Sequence, residues 1–482
     1  MKQTKILISL FILFTFYQQT NAAVWNKIDN VKIEEYPKST DVEPKLETDT
    51  PKASELTIKG GIESTYDVTL EDCIKYALGN NPRIQAAMQD VFASDSRIRQ
   101  TWASYFPQFS WQTGYSRIRQ LQLSDVFREN LIYSYWVLGQ ISVSQMLYDF
   151  GVTQNQVTIR RLDNEGYKII LTGIVNDVIC DVKNAYYNLQ YANESLRVAQ
   201  DMVDKYTAFY EQAKKFYQAG IKPKVDVTIA EVNLSNAKMS LIQSEHSVKV
   251  AMATLNNSMG LPYFNKYVLN DCLKYEPYDI TLLKAINIAE KSRPEFKLAE
   301  VKVEQSRQNV KLIQKSYFPQ ITAEGQYQIG GQHPTSNTGY NFGGYLNFPT
   351  INGMLIKNEI REARSLYSKQ QALAQSTKNS IYLDVQKSFF ALSEKKNQIP
   401  VAYLGLKQAK ENYELSSGRY KVGIGNSVEL QDAQAQYRDA QLTYCKTMYE
   451  YNTAKSNLEK AIGRNLCSAE VELELPKKKG KT

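Results

Sequence analysis

The chain has 482 residues, 43% of them hydrophobic and 22% charged, with a formal net charge of +8. That charge is dispersed along the whole length, apart from a Lys477-Lys478-Lys479-Gly480-Lys481 run, so it makes no nucleic-acid surface. No run of 18 apolar residues follows the N-terminal segment, which excludes a spanning α-helix from the mature chain and leaves β-strands as the means of entering a membrane.

Residues 1–22 read as a signal peptide. Lys2 and Lys5 precede an apolar stretch from Ile6 to Phe16, and Thr20-Asn21-Ala22 suits a signal peptidase. The mature chain then begins at Ala23, outside the cytoplasm, and with no cysteine there a lipoprotein anchor is not indicated. Residues 23–66, with Pro37, Pro44 and Pro51 among mixed charges, predict a disordered segment. Folded structure is expected to start near Val68.

The rest of the chain is written twice. At an offset of 212, Thr69-Leu70, Ile74, Ala77, Pro82, Tyr105-Phe106-Pro107-Gln108 and Tyr115 meet Thr281-Leu282, Ile286, Ala289, Pro294, Tyr317-Phe318-Pro319-Gln320 and Tyr327. At an offset of 203, Tyr210-Glu211, Tyr217, Gly220-Ile221, Leu255 and Gly260 meet Tyr413-Glu414, Tyr420, Gly423-Ile424, Leu458 and Gly463. Such a period is far longer than the 20–50 residues of a solenoid, so this is a duplicated domain, with halves at 67–270 and 271–470 and a basic disordered tail at 471–482.

Within the first half a helix is expected from about Leu70 to Ser104, ending at Pro107. The period then changes to two. Phe109, Trp111, Thr113 and Tyr115 alternate with Ser110, Gln112, Gly114 and Ser116, and Tyr133, Tyr135, Val137, Ile141, Val143 and Leu147 alternate with polar residues. The second half repeats this in Ile321, Ala323, Gly325, Tyr327 and Ile329, and in Phe342, Leu346 and Phe348. Strands of this length cross a bilayer, and Trp111, Tyr115, Val143, Tyr327 and Leu346 are the lipid-facing candidates. Four strands cannot close a barrel and an open edge cannot sit in lipid, so closure requires further copies of the chain, and three give about 12 strands.

Long helices follow each strand pair. Residues 152–218 contain no proline, and Val175, Val178, Val182, Ala185, Leu189, Ala192, Leu196, Ala199, Val203, Tyr206, Tyr210, Ala213 and Tyr217 form a heptad seam. Gly220-Ile221-Lys222-Pro223 ends that helix, and a return seam runs from Val227 through Ala230, Leu234 and Ala237 to Leu255. The second hairpin turns at Gly423-Ile424-Gly425-Asn426 and returns through Leu430, Ala433, Tyr437 and Tyr451 to Leu458, with a kink or break expected at Pro400. The fold class is therefore an α+β membrane protein with an antiparallel coiled coil and an internal duplication.

Catalytic chemistry is not legible. There are two histidines, His246 and His333, no Gly-rich phosphate loop, and five scattered cysteines (Cys73, Cys180, Cys272, Cys445, Cys467) without a C-x-x-C pair, so no enzyme, cofactor or metal site is expected.

Several patterns resemble the TolC family of outer-membrane efflux proteins: Val68-Thr69-Leu70-Glu71-Asp72 through Asn80-Asn81-Pro82, Phe106-Pro107-Gln108, Leu147-Tyr148-Asp149-Phe150-Gly151, and Arg419-Tyr420-Lys421-Val422-Gly423-Ile424. The resemblance runs from about Val68 to Gly463. It implies a homotrimer with a 12-stranded transmembrane β-barrel continued by an α-helical tunnel, in outer-membrane lipid with most of the mass in the periplasm. It also implies partnership with a periplasmic adaptor and an inner-membrane transporter, in drug efflux or type I secretion. Ala219, Gly220, Ile221, Val422, Gly423 and Ile424 would then form adaptor-docking tips, although the glycines also serve simply to turn the chain. Glu211 and Glu414 fall where carboxylates narrow the tunnel entrance in some family members, with Glu411 a weaker candidate, and solvated helix charges are the alternative reading. The rival to a conduit is a non-conducting periplasmic trimeric coiled-coil stalk.

Overall fold

The computed structural model describes residues 67–123, 128–261, 268–269, 274–331, 337–349 and 354–464, with backbone alone within 118–134. The signal peptide, the 23–66 segment, the basic tail, Cys272, Cys467 and His333 lie outside the described residues.

One order of elements occurs twice. The first run is β1 (Asp67–Val68), α1 (Leu70–Asn80), α2 (Pro82–Trp102), β2 (Gln108–Leu123), β3 (Arg128–Tyr148), α3 (Val152–Gln218) and α4 (Lys224–Met259). The second is β4 (Val268–Leu269), α5 (Leu282–Ser292), α6 (Pro294–Lys315), β5 (Gln320–Gly331), β6 (Asn337–Asn347), α7 (Leu355–Lys421) and α8 (Ser427–Ala461). Strands β1 and β4 pair in parallel and join the two runs.

The single helix expected over 70–104 is broken at Asn81, which is extended at φ −68°, ψ 121°. Pro82 disfavours helix in the residue before it and itself suits a first helical turn. Asn81 closes α1 through its own N–H on the Ala77 carbonyl, and its side chain opens α2 by accepting from the Arg83 N–H at 2.9 Å. Arg293 makes the same break before Pro294. Both breaks seat a helix end: α4 stops at Gly260 (φ +79°), where a Cβ would stand 2.9 Å from the Asn80 carbonyl oxygen, and at Gly463 (φ +69°), just past α8, a Cβ would stand 2.9 Å from the Arg293 backbone.

The motif from Leu147 to Gly151 builds the corner from strand to helix. Asp149 is buried and accepts from the Gly151 N–H at 2.9 Å and the Thr153 N–H at 2.6 Å, filling the donors at the start of α3. Phe150 and Gly151 take positive φ to make the turn. Lys315, at the end of α6, donates to the Gly151 carbonyl at 2.8 Å, and Phe150 stacks on Phe318, so the corner of the first repeat is fixed by the second.

Helices α3 and α7 each run 67 residues, about 100 Å at 1.5 Å per residue. Of the kink or break expected at Pro400, the break is absent: α7 is continuous through it. Pro400 is exposed, and its missing N–H leaves the Lys396 carbonyl without a helical donor. The seam on α3 holds through Ala192 and again at Tyr206 and Ala213, while Leu196 and Ala199 are half-buried, Tyr217 is exposed, and Val198, Met202 and Phe209 are buried off the expected line. The reason is that α3 packs against more than one neighbour, α4 on one side and α6 and α8 on the other, so it carries two apolar stripes. Toward the hairpin turns the contacts give the order α4, α3, α8, α7, which leaves α4 and α7 as the edges.

Candidate functional site

Strands β2, β3, β5 and β6 form one antiparallel sheet in that order, leaving β2 and β6 as its edges. Register places Trp111, Ile141, Tyr327 and Tyr340 in one row, with Phe109, Val143, Gly325 and Phe342 in the next. Ile321 and Leu346 continue the same face, and Tyr115 joins it beside Trp136, their rings 4.5 Å apart. All five residues named as lipid-facing candidates therefore lie on one face. Trp111 is 78% exposed, Tyr340 87% and Phe342 82%, a degree of apolar exposure foreign to a water-facing sheet.

The opposite face carries Ser110, Ser142, Gln326 and Asn341 in one row and Gln112, Gln140 and Gln328 in another. The strict alternation expected along β3 fails at Leu138, where the register slips against both neighbours. An extra residue moves everything before it to the other side of the sheet. Tyr135 and Val137 accordingly lie on the polar face, where the Tyr135 hydroxyl accepts from Gln328 Nε2 at 2.5 Å, and Trp136 takes the apolar face. A second slip occurs at Leu147.

At the far end of the helices the two turns differ in construction. Gly220 (φ +71°) follows Ala219, and Pro223 stands just before α4, where its missing N–H is not needed. In the second turn Gly423 has φ +81°, and a Cβ on Gly425 would come within 2.8 Å of the Tyr420 nitrogen. Ile221, Val422 and Ile424 are 60%, 69% and 77% exposed, so the apolar tip residues project outward. Beneath them Phe209, Ala213, Ala230, Tyr420 and Leu430 form a small core.

Contacts that the sequence did not reveal tie the two turns together. Lys222 Nζ donates to the Gly425 carbonyl at 3.3 Å, and the Ser427 hydroxyl donates to Asp226 at 3.0 Å. Nearby, Lys205 lies over both Tyr413 and Tyr437, whose rings stack at 5.4 Å. Burial, with the Asp226 charge adding to it, pushes the Tyr420 hydroxyl above its ordinary range. Lys222 and Gly425 occupy equivalent positions of the two halves, so no repeat pattern pointed to their bond. Glu211 and Glu414 are exposed on α3 and α7, and Lys410 stands 3.8 Å from Glu414.

Midway along α3, at the C-terminal end of α8, the two helices share a polar layer that includes a buried ion pair. Lys183 and Glu459 pair at 2.7 Å with side chains only 7% and 5% exposed, and Lys460 pairs with Asp177 at 2.7 Å. Asn184 donates to Asn457 at 3.3 Å, and the Cys180 thiol donates to Asn457 at 3.4 Å. Burial pushes this thiol up, and it pushes the buried Cys73 thiol up to about 12, so neither is a reactive thiolate at neutral pH. Among the described residues, no group of three His, Cys, Asp or Glu side chains is placed to hold a metal ion.

Lipid-length strands with one apolar and one polar face, joined at one end to paired helices of 67 residues, define an outer-membrane channel protein with a large periplasmic part. The sequence profile of the outer membrane efflux protein family matches residues 73–261 and again 285–464, once per repeat, and the chain belongs to that family. Outer membrane protein TolC of Vibrio cholerae is 21% identical over 408 residues, covering 82% of this chain and 90% of TolC. The toluene efflux pump outer membrane protein TtgC of Pseudomonas putida is 22% identical over 420 residues, 83% of each chain. An alignment with toxin and drug export protein A of Aggregatibacter actinomycetemcomitans, 22% identical, spans 58% of this chain but only 62% of that protein. In fold, the Campylobacter jejuni CmeC outer membrane channel superposes with a TM-score of 0.70 at 16% identity, covering 84% of this chain and 90% of CmeC. The open state of the Neisseria gonorrhoeae MtrE channel gives 0.66 at 17% identity, covering 85% and 96%.

Proposed function

We propose that three copies of this chain close into a barrel of about 12 strands continued by a helical tunnel, and that the assembly is a passive export duct from periplasm to exterior. The observation that carries this reading is a four-stranded sheet, apolar and exposed on one face, whose two edges are both unpaired. Backbone donors and acceptors at such edges cannot be left in lipid, so β2 of one copy must pair with β6 of the next. Two copies would make a barrel of about 8 strands, whose interior side chains fill. Three is the smallest number that leaves a passage.

The helices support the same closure. Edge helix α4 exposes Val232, Met239 and Ile242, and edge helix α7 exposes Leu366, Leu373, Phe390 and Leu404, two apolar stripes that a neighbouring copy would cover. The exposed tips at Ala219-Gly220-Ile221 and Val422-Gly423-Ile424 are the surface for a periplasmic adaptor, through which an inner-membrane transporter supplies cargo and energy. Glu211 and Glu414, near those tips, would ring the entrance and favour cations. The stalk reading gives no reason for the aromatic exposed face of the sheet.

Electrical recording from the purified protein in a planar lipid bilayer tests this. Discrete unitary conductance is expected, and it should disappear with Val143→Arg. Protein that neither inserts nor conducts would leave only the stalk.

A further inference from the structure

Glu324 lies on the polar face of β5, in register with Ser144 on β3 and Gly343 on β6. It is exposed and, among the described residues, has neither an ion-pair nor a hydrogen-bond partner. Its row ends in Gln108 on β2, and the rows beside it are Ser110, Ser142, Gln326 and Asn341 on one side and Met146, Thr322 and Tyr345 on the other, all uncharged. Glu324 is thus the one formal charge on that face among the residues whose side chains are described. Glycine stands directly opposite, at 343, with the Tyr345 hydroxyl over it, 3.3 Å from where a Cβ would stand.

We propose that Glu324 is a specificity-determining residue of the duct: its copies form a carboxylate ring inside an otherwise neutral barrel lumen, drawing in cationic solutes and opposing anionic ones. This rests on the barrel reading above, and it places a charge filter in the membrane section, separate from the tips at the far end of 67-residue helices. A neutral amide and hydroxyl lining offers hydrogen bonds to any polar cargo without preference of sign. A fixed carboxylate adds the sign.

A local probe avoids any dependence on whether the tips are open. Ser144→Cys puts a thiol directly across from Glu324. In the full-length protein in lipid vesicles, labelling rates are measured with a membrane-impermeant cationic methanethiosulfonate and with its anionic counterpart, above the background of the parent chain. The measurement is made with Glu324 present, with Glu324→Gln and with Glu324→Lys. One unit charge about 6 Å away in water, screened at 0.1 M salt, makes the cation-to-anion rate ratio roughly three- to fourfold higher than with Gln. Lys should lower the ratio by a similar factor below Gln, and all three should converge in 1 M salt, where the Debye length is about 3 Å. Equal ratios in the three proteins would overturn the inference and leave the duct standing. A thiol at 144 that stays unlabelled while Val143→Cys reacts would mean that the polar face is not the wet one, and both the barrel and the inference would fall.

Discussion

The buried pair Lys183–Glu459 joins the first repeat to the second and gives a quantitative test of how the helical layer holds together. At 2.7 Å and an effective dielectric constant near 20, the charges attract by about 6 kcal/mol. Desolvation costs several kcal/mol per ion, so the intact pair contributes little net stability. Removing one partner is different, because the other charge stays in the packed α3–α8 contact. Lys183→Met or Glu459→Leu alone should each destabilise by about 3–5 kcal/mol, while the double variant, which fills the space with apolar volume, should recover most of that. A large multichain membrane protein unfolds irreversibly, so the readout is the temperature at which the detergent-extracted oligomer loses its fold at a fixed heating rate. On the order of 2 °C per kcal/mol, each single variant should fall by roughly 6–10 °C and the double variant by only about 2 °C. Additive losses in the double variant would refute the coupling.

Val143→Arg or Leu346→Arg should cost about 2–4 kcal/mol per chain near the bilayer midplane and abolish assembly, while Ser142→Arg, on the polar face, should still yield folded protein in the outer-membrane fraction. Gly260→Ala should lower the same melting temperature more than Gly220→Ala. Both have positive φ, about 1–3 kcal/mol of strain for a non-glycine residue, but only Gly260 adds a clash, since nothing lies within 4 Å of a Cβ at 220. At Asp149, just beyond β3, burial acts to raise the carboxyl pKa, and hydrogen bonds from the Thr153 hydroxyl and from the Thr153 and Gly151 amides outweigh it and hold it below the usual range. Its contribution is therefore fully present above the unfolded value near 3.9 and lost as pH falls through the lower folded value. Asp149→Asn should cost about 1.5–3 kcal/mol at pH 7, and the gap from the wild type should close in strongly acidic melts. Ile424→Asp should leave assembly and yield unchanged while reducing cell-surface export, read as increased sensitivity to exported compounds.

Periodicity made the architecture legible where one face governs a residue's choice. The limits of α3 follow from Gly151 and the Gly220 turn, and the strand pairs from alternation beginning just after Pro107 and Pro319. It was incomplete where two neighbours compete, as on α3, where Val198, Met202 and Phe209 are buried off the expected seam, and it failed where one inserted residue changes parity, as at Leu138. The prolines at 82 and 294 were visible as repeat markers, but their physical role, seating Gly260 and Gly463 against the breaks, needs the third dimension. The tip residues were named from the family resemblance, and the structure adds that Ile221, Val422 and Ile424 are exposed at the turns. The bonds between the turns were hidden, because Lys222, Asp226 and Ser427 are ordinary polar residues in both helix and loop contexts. In the sequence Glu324 is one more polar member of an alternating strand, and only the register shows that it is the one charge on its face among the described side chains.

The most direct test of the account is electron cryomicroscopy of the protein extracted from outer membranes in detergent. It predicts three-fold particles in which β2 pairs with β6 of the next copy and α4 packs along the neighbouring α7, with a belt of detergent around the strands and helices extending about 100 Å. Monomers, or detergent-free rods in which the apolar face of the sheet is buried against protein, would contradict it.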